Sequence, residues 1–200
     1  MGTSLALAFS SNVTAGDLIV VAVSTYTGET ISSPTDNSSP SNDAYGLAVS
    51  AKPATTGTPS AASIYYAVAN ATGALTITAH IGASDNIHLH IYEISGLSPT
   101  LSSVLDQTGS NAQTSTTSAT VSTGGATKVA NEYVFAFFAT DNSTQTWTKG
   151  GSYTDVETAN RIGGDSSFSE DLVITSAGKQ TATATSTTAD RITSVIATFQ

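Results

Sequence analysis

Apolar residues in this chain come in short runs of period two, or in brief unbroken stretches, and the runs recur about every dozen residues between Gly, Asn, Asp, Ser and Pro. No apolar pattern of helical period survives for three turns. A chain written this way buries its apolar side chains only by pairing strands and stacking the resulting sheets. The runs predict strands over residues 4–9, 17–24, 45–51, 61–68, 75–81, 87–95, 117–122, 132–140, 146–153, 167–175, 181–186 and 192–199. The expected fold is all-β, an antiparallel two-sheet β-sandwich of jelly-roll type with about twelve strands, in a single domain spanning residues 1–200. Residues 18–23 and 133–139 are apolar on both faces, which predicts central strands covered by the second sheet on one side and by loops on the other. The run 192–199 is equally strong, so both termini are expected within the sheets. The run 180–187 alternates but offers only Ala to a core, and reads as an edge or outer-face strand. Two stretches, 30–43 and 55–60, read as loops from their Pro and polar content.

Two hundred residues suffice to bury a core without staples. The chain has no cysteine, so neither disulfides nor thiolate metal sites contribute. Ser and Thr make up close to a third of it, while charged residues are 10% and the formal net charge is −9. The basic residues stand singly along the chain, with no cluster to follow a phosphate backbone, and the acidic excess repels nucleic acid and anionic membranes. No run approaches the roughly 20 apolar residues that span a bilayer, so no membrane insertion is expected. Residues 1–9 lack a basic n-region and an h-region; Met1 and Gly2 read as start residues with a strand following at once. This composition suits a secreted or cell-surface module, and extracellular placement is the expectation.

Three phrases, Ala15-Gly-Asp-Leu-Ile-Val-Val-Ala-Val23, Tyr92-Glu-Ile-Ser-Gly-Leu97 and Leu105-Asp-Gln-Thr108, occur in this order. The order resembles the jelly-roll, carbohydrate-binding-module-like β-sandwich modules repeated in large secreted or surface proteins of bacteria. The resemblance covers most of the chain through strand and turn features. It implies a β-sandwich, extracellular placement and a binding or spacer role, and it brings no catalytic residue with it.

Every histidine lies within one stretch: His80, His88 and His90. If residues 75–81 and 86–92 form a hairpin turning at 82–85, Leu75, Ile77, Ala79, Leu89 and Ile91 share one side. The three imidazoles then share the other, with Tyr92 beside them. Three neutral imidazoles so placed would hold Zn or Cu with an open coordination position. The opposing reading is a polar sheet face on which histidine is an ordinary β residue, and a slip of one residue would separate His80 from the pair.

Sugar-binding modules stack pyranose rings on flat aromatics. Trp147 and Tyr153 are the candidate platform, with Tyr26, Tyr45 and Tyr92 as further candidate ligand-binding residues; the alternative for a lone Trp is a core plug. Tyr65 and Tyr66 are consecutive, so one of them is expected to face away from the core. Asp36, Asp43, Asp141, Asp165, Glu170 and Asp171 sit among Asn, Ser and Gly, where a structural Ca ion would find hard oxygens and where Asp also simply caps turns. The four sequons at Asn12, Asn37, Asn70 and Asn142 are what this hydroxyl content gives by chance. No G-x-S-x-G elbow occurs, and no carboxylate pair stands out for glycoside cleavage. An intramolecular Lys–Asn isopeptide bond would need a buried lysine, and Lys128 is the one to inspect.

The sequence therefore favours a non-enzymatic extracellular binding module whose partner is a polysaccharide or cell-surface glycan. One alternative is a structural subunit of a surface fibre or pilus, self-associating by strand exchange. The other is a metal protein built on the histidine trio, supporting hydratase, hydrolytic or redox chemistry.

Overall fold

The computed structural model describes residues 1–53, 60–142, 145–156, 159–163 and 166–200, and at 159–162 the backbone alone. Most of the expected 55–60 loop, together with Asp165, lies outside the described residues. The strands are β1 (Gly2–Ala8), β2 (Leu18–Thr25), β3 (Ile31–Asp36), β4 (Gly46–Ala51), β5 (Ala61–Val68), β6 (Thr76–Asp85) and β7 (Ile87–Ile94). One helical turn, α1 (Leu101–Val104), follows. Then come β8 (Leu105–Ala126), β9 (Tyr133–Thr140), β10 (Trp147–Thr148), β11 (Thr154–Asp155), β12 (Ala159–Ile162), β13 (Ser166–Val173) and β14 (Lys179–Phe199). The chain is all-β and its sheets are antiparallel, as expected of a β-sandwich, but among the described residues the strands divide into three sheets and not the expected two.

The sheets run β1-β6-β3, β12-β7-β2-β5-β4, and β10-β14-β9-β13-β11 with β8 on β14. Alternation along the strands divides the core into three apolar clusters. Leu75, Ile77 and Ala79 from the β6 region pack on Ile19, Val21 and Val23 of β2 and on Ile87, Leu89 and Ile91 of β7. The other face of β2, Leu18, Val20 and Ala22, packs on Phe135 and Phe137 of β9 and on Val195, Ala197 and Phe199 of β14. The other face of β9, Val134, Ala136 and Phe138, meets Ala119 and Val121 of β8 and Ala182 and Ala184 of β14. Each sheet in the middle of the stack is thus buried on both faces. That is why β2 and β9 are buried at every position and read as unbroken apolar runs. It also explains Tyr65 and Tyr66: one enters the first cluster and the other packs against the second, so neither turns away from a core.

The outermost ply is a ribbon folded back on its own sheet. β8 and β14 pair along most of their length, but the register breaks between Thr185 and Asp190, and Ser115 adopts φ 51°. Beyond the bend, Ala182 and Ala184 point inward while Thr181, Thr183 and Thr185 are exposed, the outer-face arrangement expected of this run. Gly109 lies where the halves meet: a Cβ there would sit 1.9 Å from the Ser122 carbonyl oxygen.

Three elements depart from expectation. β3 carries Pro34 and still pairs with β6, because it is an edge strand and its register shifts between Ser32 and Thr35, around the proline. β12 adds an edge to β7. The stretch 82–85 is strand and not hairpin turn; β6 runs to Asp85, and the chain passes through Asn86 into a different sheet. Buried Asp85 holds this corner, accepting hydrogen bonds from Thr27 N (2.7 Å), Thr27 Oγ1 (2.8 Å) and Asn86 N (2.8 Å). Among the described residues no helix is long and apolar enough to cross a membrane.

Candidate functional site

The polar face of β7 gathers the densest set of titratable and hydroxyl side chains between two sheets. Ile87, Leu89 and Ile91 point into the first apolar cluster, so alternation turns His88, His90 and Tyr92 toward β13. There they meet Ser167 and Ser169, which point back from β13 with the same period of two. Ser167 Oγ bridges the two imidazoles, 2.8 Å from His88 Nδ1 and 2.8 Å from His90 Nε2. His90 Nδ1 lies 3.1 Å from Ser169 Oγ and 3.2 Å from Tyr92 OH. Both of those hydroxyls donate to the Val156 carbonyl, which fastens the segment after β11 to the seam.

Ser169 Oγ and Tyr92 OH also lie 2.6 Å apart, so the two hydroxyls, the Val156 carbonyl and His90 Nδ1 form one hydrogen-bonded cluster. Burial, and secondarily the neighbouring His88, push the pKa of His90 from 6.5 down to about 3. The ring of Phe137 closes one side, its centroid 5.0 Å from that of His90 at 66°.

The Ser167–His90 distance is that of a nucleophile and its base. Both residues are buried, however, and the far nitrogen of His90 leads to hydroxyls where a catalytic triad would place a carboxylate. What the arrangement does chemically is satisfy polar groups across a sheet-to-sheet interface.

The expected histidine trio is not assembled. His80 belongs to β6, in the outer three-stranded sheet, and bonds Thr35 Oγ1 through Nε2 at 2.8 Å. The aliphatic faces of β6 and β7 do share one cluster, as the alternation indicates. They share it by stacking face to face, though, and not by pairing side by side, so their polar faces point in opposite directions. An apolar layer and two sheets separate His80 from His88 and His90, and stacked sheets stand about 10 Å apart. Among the described residues no group of three or more His, Asp or Glu could hold a metal ion. The Zn or Cu site at His80, His88 and His90 is therefore withdrawn.

The aromatic platform is also corrected. Trp147 is half-buried, its indole stacked on Phe168 (6.0 Å, 13°) and its Nε1 donating to Ser166 Oγ at 2.7 Å. Tyr153 is buried in the outermost apolar cluster, and Tyr92 is buried in the seam against Phe135. Trp147 and Tyr153 thus present no paired flat surface to solvent. Tyr26 and Tyr45 are half-buried, and Tyr45 is anchored through its hydroxyl to Asp36 Oδ2 at 2.8 Å.

Of the acidic candidates, Glu170 and Asp171 lie within β13 and not in a loop. Burial raises Glu170 to about 7 despite the Gly150 N–H it accepts at 2.7 Å. Asp141 is held by Arg191. Asp36 and Asp43 do converge, beside a shallow groove of about 130 Å³ lined by Asn37, Ser38, Ser39, Thr72 and Gly73 among others. Lys128 is exposed and ion-paired to Asp106 at 2.7 Å, so it does not meet the burial an isopeptide bond requires.

The residues that sequence reasoning missed are Ser167 and Ser169. Their signal was present, since Ser-Phe-Ser on β13 alternates in the same phase as His-Leu-His-Ile-Tyr on β7. Nothing local, however, said that these two strands face each other. No family model, no curated protein and no solved structure matches the chain.

Proposed function

We propose that this chain is a non-catalytic extracellular binding module of the jelly-roll β-sandwich kind, acting on a polysaccharide or cell-surface glycan within a larger secreted or surface protein. The observation that carries the reading is the groove beside the β3–β4 loop. It is shallow, uncharged in its lining, and offers amide and hydroxyl groups from Asn37, Ser38, Ser39 and Thr72 to a ligand made of hydroxyls. At about 130 Å³ it is well below the roughly 300 Å³ at which enclosed small-molecule sites begin, and suits a chain ligand lying across a surface. The burial of the imidazoles and their serine partners between sheets supports a structural, non-catalytic role for the seam. Affinity electrophoresis and titration calorimetry against a polysaccharide panel test the reading. Binding that is weakened by Asn37→Ala or Thr72→Ala is expected, and no binding to any glycan contradicts it.

A second reading, a subunit of a surface fibre, is favoured by one feature: β1 is an edge strand paired only with β6, and Leu5 alone of its residues is buried. β14 is paired on both sides, so any exchanged strand would be β1. A concentration-dependent dimer or polymer in light scattering, abolished by removing residues 1–8, supports this reading; a monomer at all concentrations contradicts it.

A further inference from the structure

We propose that the outer face of the folded-back ribbon, Thr181, Thr183 and Thr185 of β14 beside Ser122, Thr120 and Ser118 of β8, is a surface that binds ice. The two strands pair so that Thr181 stands opposite Ser122, Thr183 opposite Thr120 and Thr185 opposite Ser118. Between them Ala182, Ala184, Ala119 and Val121 point down into the outermost apolar cluster, so all six hydroxyl side chains stand on the other side. The three threonines and Ser118 are exposed, and Thr120 and Ser122 are half-buried. On the opposite edge of β14, β10 sets Thr148, also exposed, beside Thr185, which widens that rank to three strands. The buried alanines let the ribbon lie close on Val134, Ala136 and Phe138, and this backing holds the array in place. Ser122 Oγ and Thr181 Oγ1 are 2.8 Å apart. Along the other edge of β8, Asn111 Nδ2 and Gln113 Nε2 donate to the carbonyls of Thr120 (2.7 Å) and Ser118 (3.2 Å).

What this face recognises follows from its chemistry. In a chain of net charge −9 its three ranks hold no charged residue, and Lys179 stands only beyond the last pair, so it selects neither ions nor charged polymers. It offers no aromatic ring for a sugar to stack on, because Trp147, next to Thr148, stacks on Phe168 instead. What it does offer is a repeat in two directions. Neighbouring strands stand about 4.8 Å apart and residues i and i+2 about 6.7 Å apart along a strand, close to the two repeats of water oxygens on a prism face of ice. Each threonine presents a hydroxyl to bond a lattice water and a methyl group to fill the space between waters. Its branched Cβ leaves few rotamers to lose on binding. Water ordered in two dimensions is the occupant whose own spacing this array matches. The twist of about 20° between neighbouring strands limits the flat area to these few ranks, which makes the surface a binder of modest strength.

Ice-affinity partition tests this: the chain is frozen slowly beside a dye-labelled protein that does not bind ice, and the fraction of each taken into the growing ice is measured. The wild-type chain should be enriched several-fold over its companion, and should slow the coarsening of polycrystalline ice. Thr183→Tyr puts a ring at the centre of the array, at an exposed strand position that accepts aromatics, and should abolish the enrichment with Tm unchanged. Thr185→Tyr, made separately, should do the same. Thr78→Tyr, on β6 in another sheet, should keep the enrichment. Exclusion of the wild type from ice overturns the proposal. So does equal enrichment of the wild type and the two array variants, since the bound face would then lie elsewhere. Retention on microcrystalline cellulose or chitin, lost in Thr183→Tyr and accompanied by exclusion from ice, would assign the face to a crystalline polysaccharide and equally overturns it. Asn37→Ala and Thr72→Ala, in the groove beside the β3–β4 loop, should leave the ice enrichment unchanged, so this proposal and the proposed function fail separately.

Discussion

Replacing His90 by Gln separates the titration of the buried seam from its hydrogen bonding. Gln can bond Ser167 and Ser169 but carries no proton in the range where imidazole does. In the folded wild-type chain His90 stays neutral down to about pH 3, whereas unfolded it takes a proton below about 6.5. Its folded pKa is depressed, so its contribution is fully present above 6.5 and is lost as pH falls from there toward 3. Each unit inside that window costs roughly 1.4 kcal/mol. Acidifying from pH 7.5 to 5 crosses about one and a half units of it, a loss of about 2 kcal/mol. Asp43 and Glu170 act in the opposite direction across part of the same range, since burial raises both. The wild-type curve alone is therefore ambiguous, and the comparison with His90→Gln is the informative quantity. Urea unfolding at the two pH values should show the wild type losing about 2 kcal/mol more than the variant. Equal losses would mean that the imidazole takes up its proton in the folded state, and the assignment of His90 as a buried neutral imidazole would be wrong.

Other perturbations address other layers. Gly109→Ala places a methyl group 1.9 Å from the Ser122 carbonyl, a backbone atom that cannot swing aside, and should cost about 2 kcal/mol or more in urea unfolding. Gly124→Ala, whose added carbon meets Thr108 O at an ordinary 3.5 Å, should cost under about 1 kcal/mol. Ser169→Ala removes a hydroxyl that serves both His90 and the Val156 carbonyl, and should cost about 1–3 kcal/mol. Glu170→Gln should flatten the stability lost on raising pH from about 4.5 to 7, because the raised carboxyl of the wild type favours folding while protonated and loses that advantage as it ionises. Unfolding curves for the two proteins that run parallel across this range would contradict the assignment.

The class of fold was legible because it rests on local periodicity. Alternation placed Leu89 and Ile91 with Ile77 and Ala79, and it placed His88, His90 and Tyr92 on one face. The doubly apolar runs of β2 and β9 announced their central positions. What periodicity does not encode is which sheet a strand joins. β6 and β7 are separated by the single residue Asn86, and adjacency in sequence suggested a hairpin. A corner fixed by Asp85 and Thr27 instead sent them to different sheets. That one long-range contact decides where His80 goes, and no pattern within residues 75–92 contains it. The cover on the far side of β9 was hidden for a related reason. It is built from Ala182 and Ala184, too small to mark a core-facing strand in sequence but well sized for a ribbon folded tightly on its own sheet.

Diethyl pyrocarbonate labelling of the folded protein, with each histidine followed by peptide mass spectrometry, tests the layered arrangement most directly. His80, on the outward side of the outer sheet, should react readily, while His88 and His90 react only at the rate of global unfolding. Modification of His88 or His90 at the rate of His80 would contradict the stacking of β7 against β13.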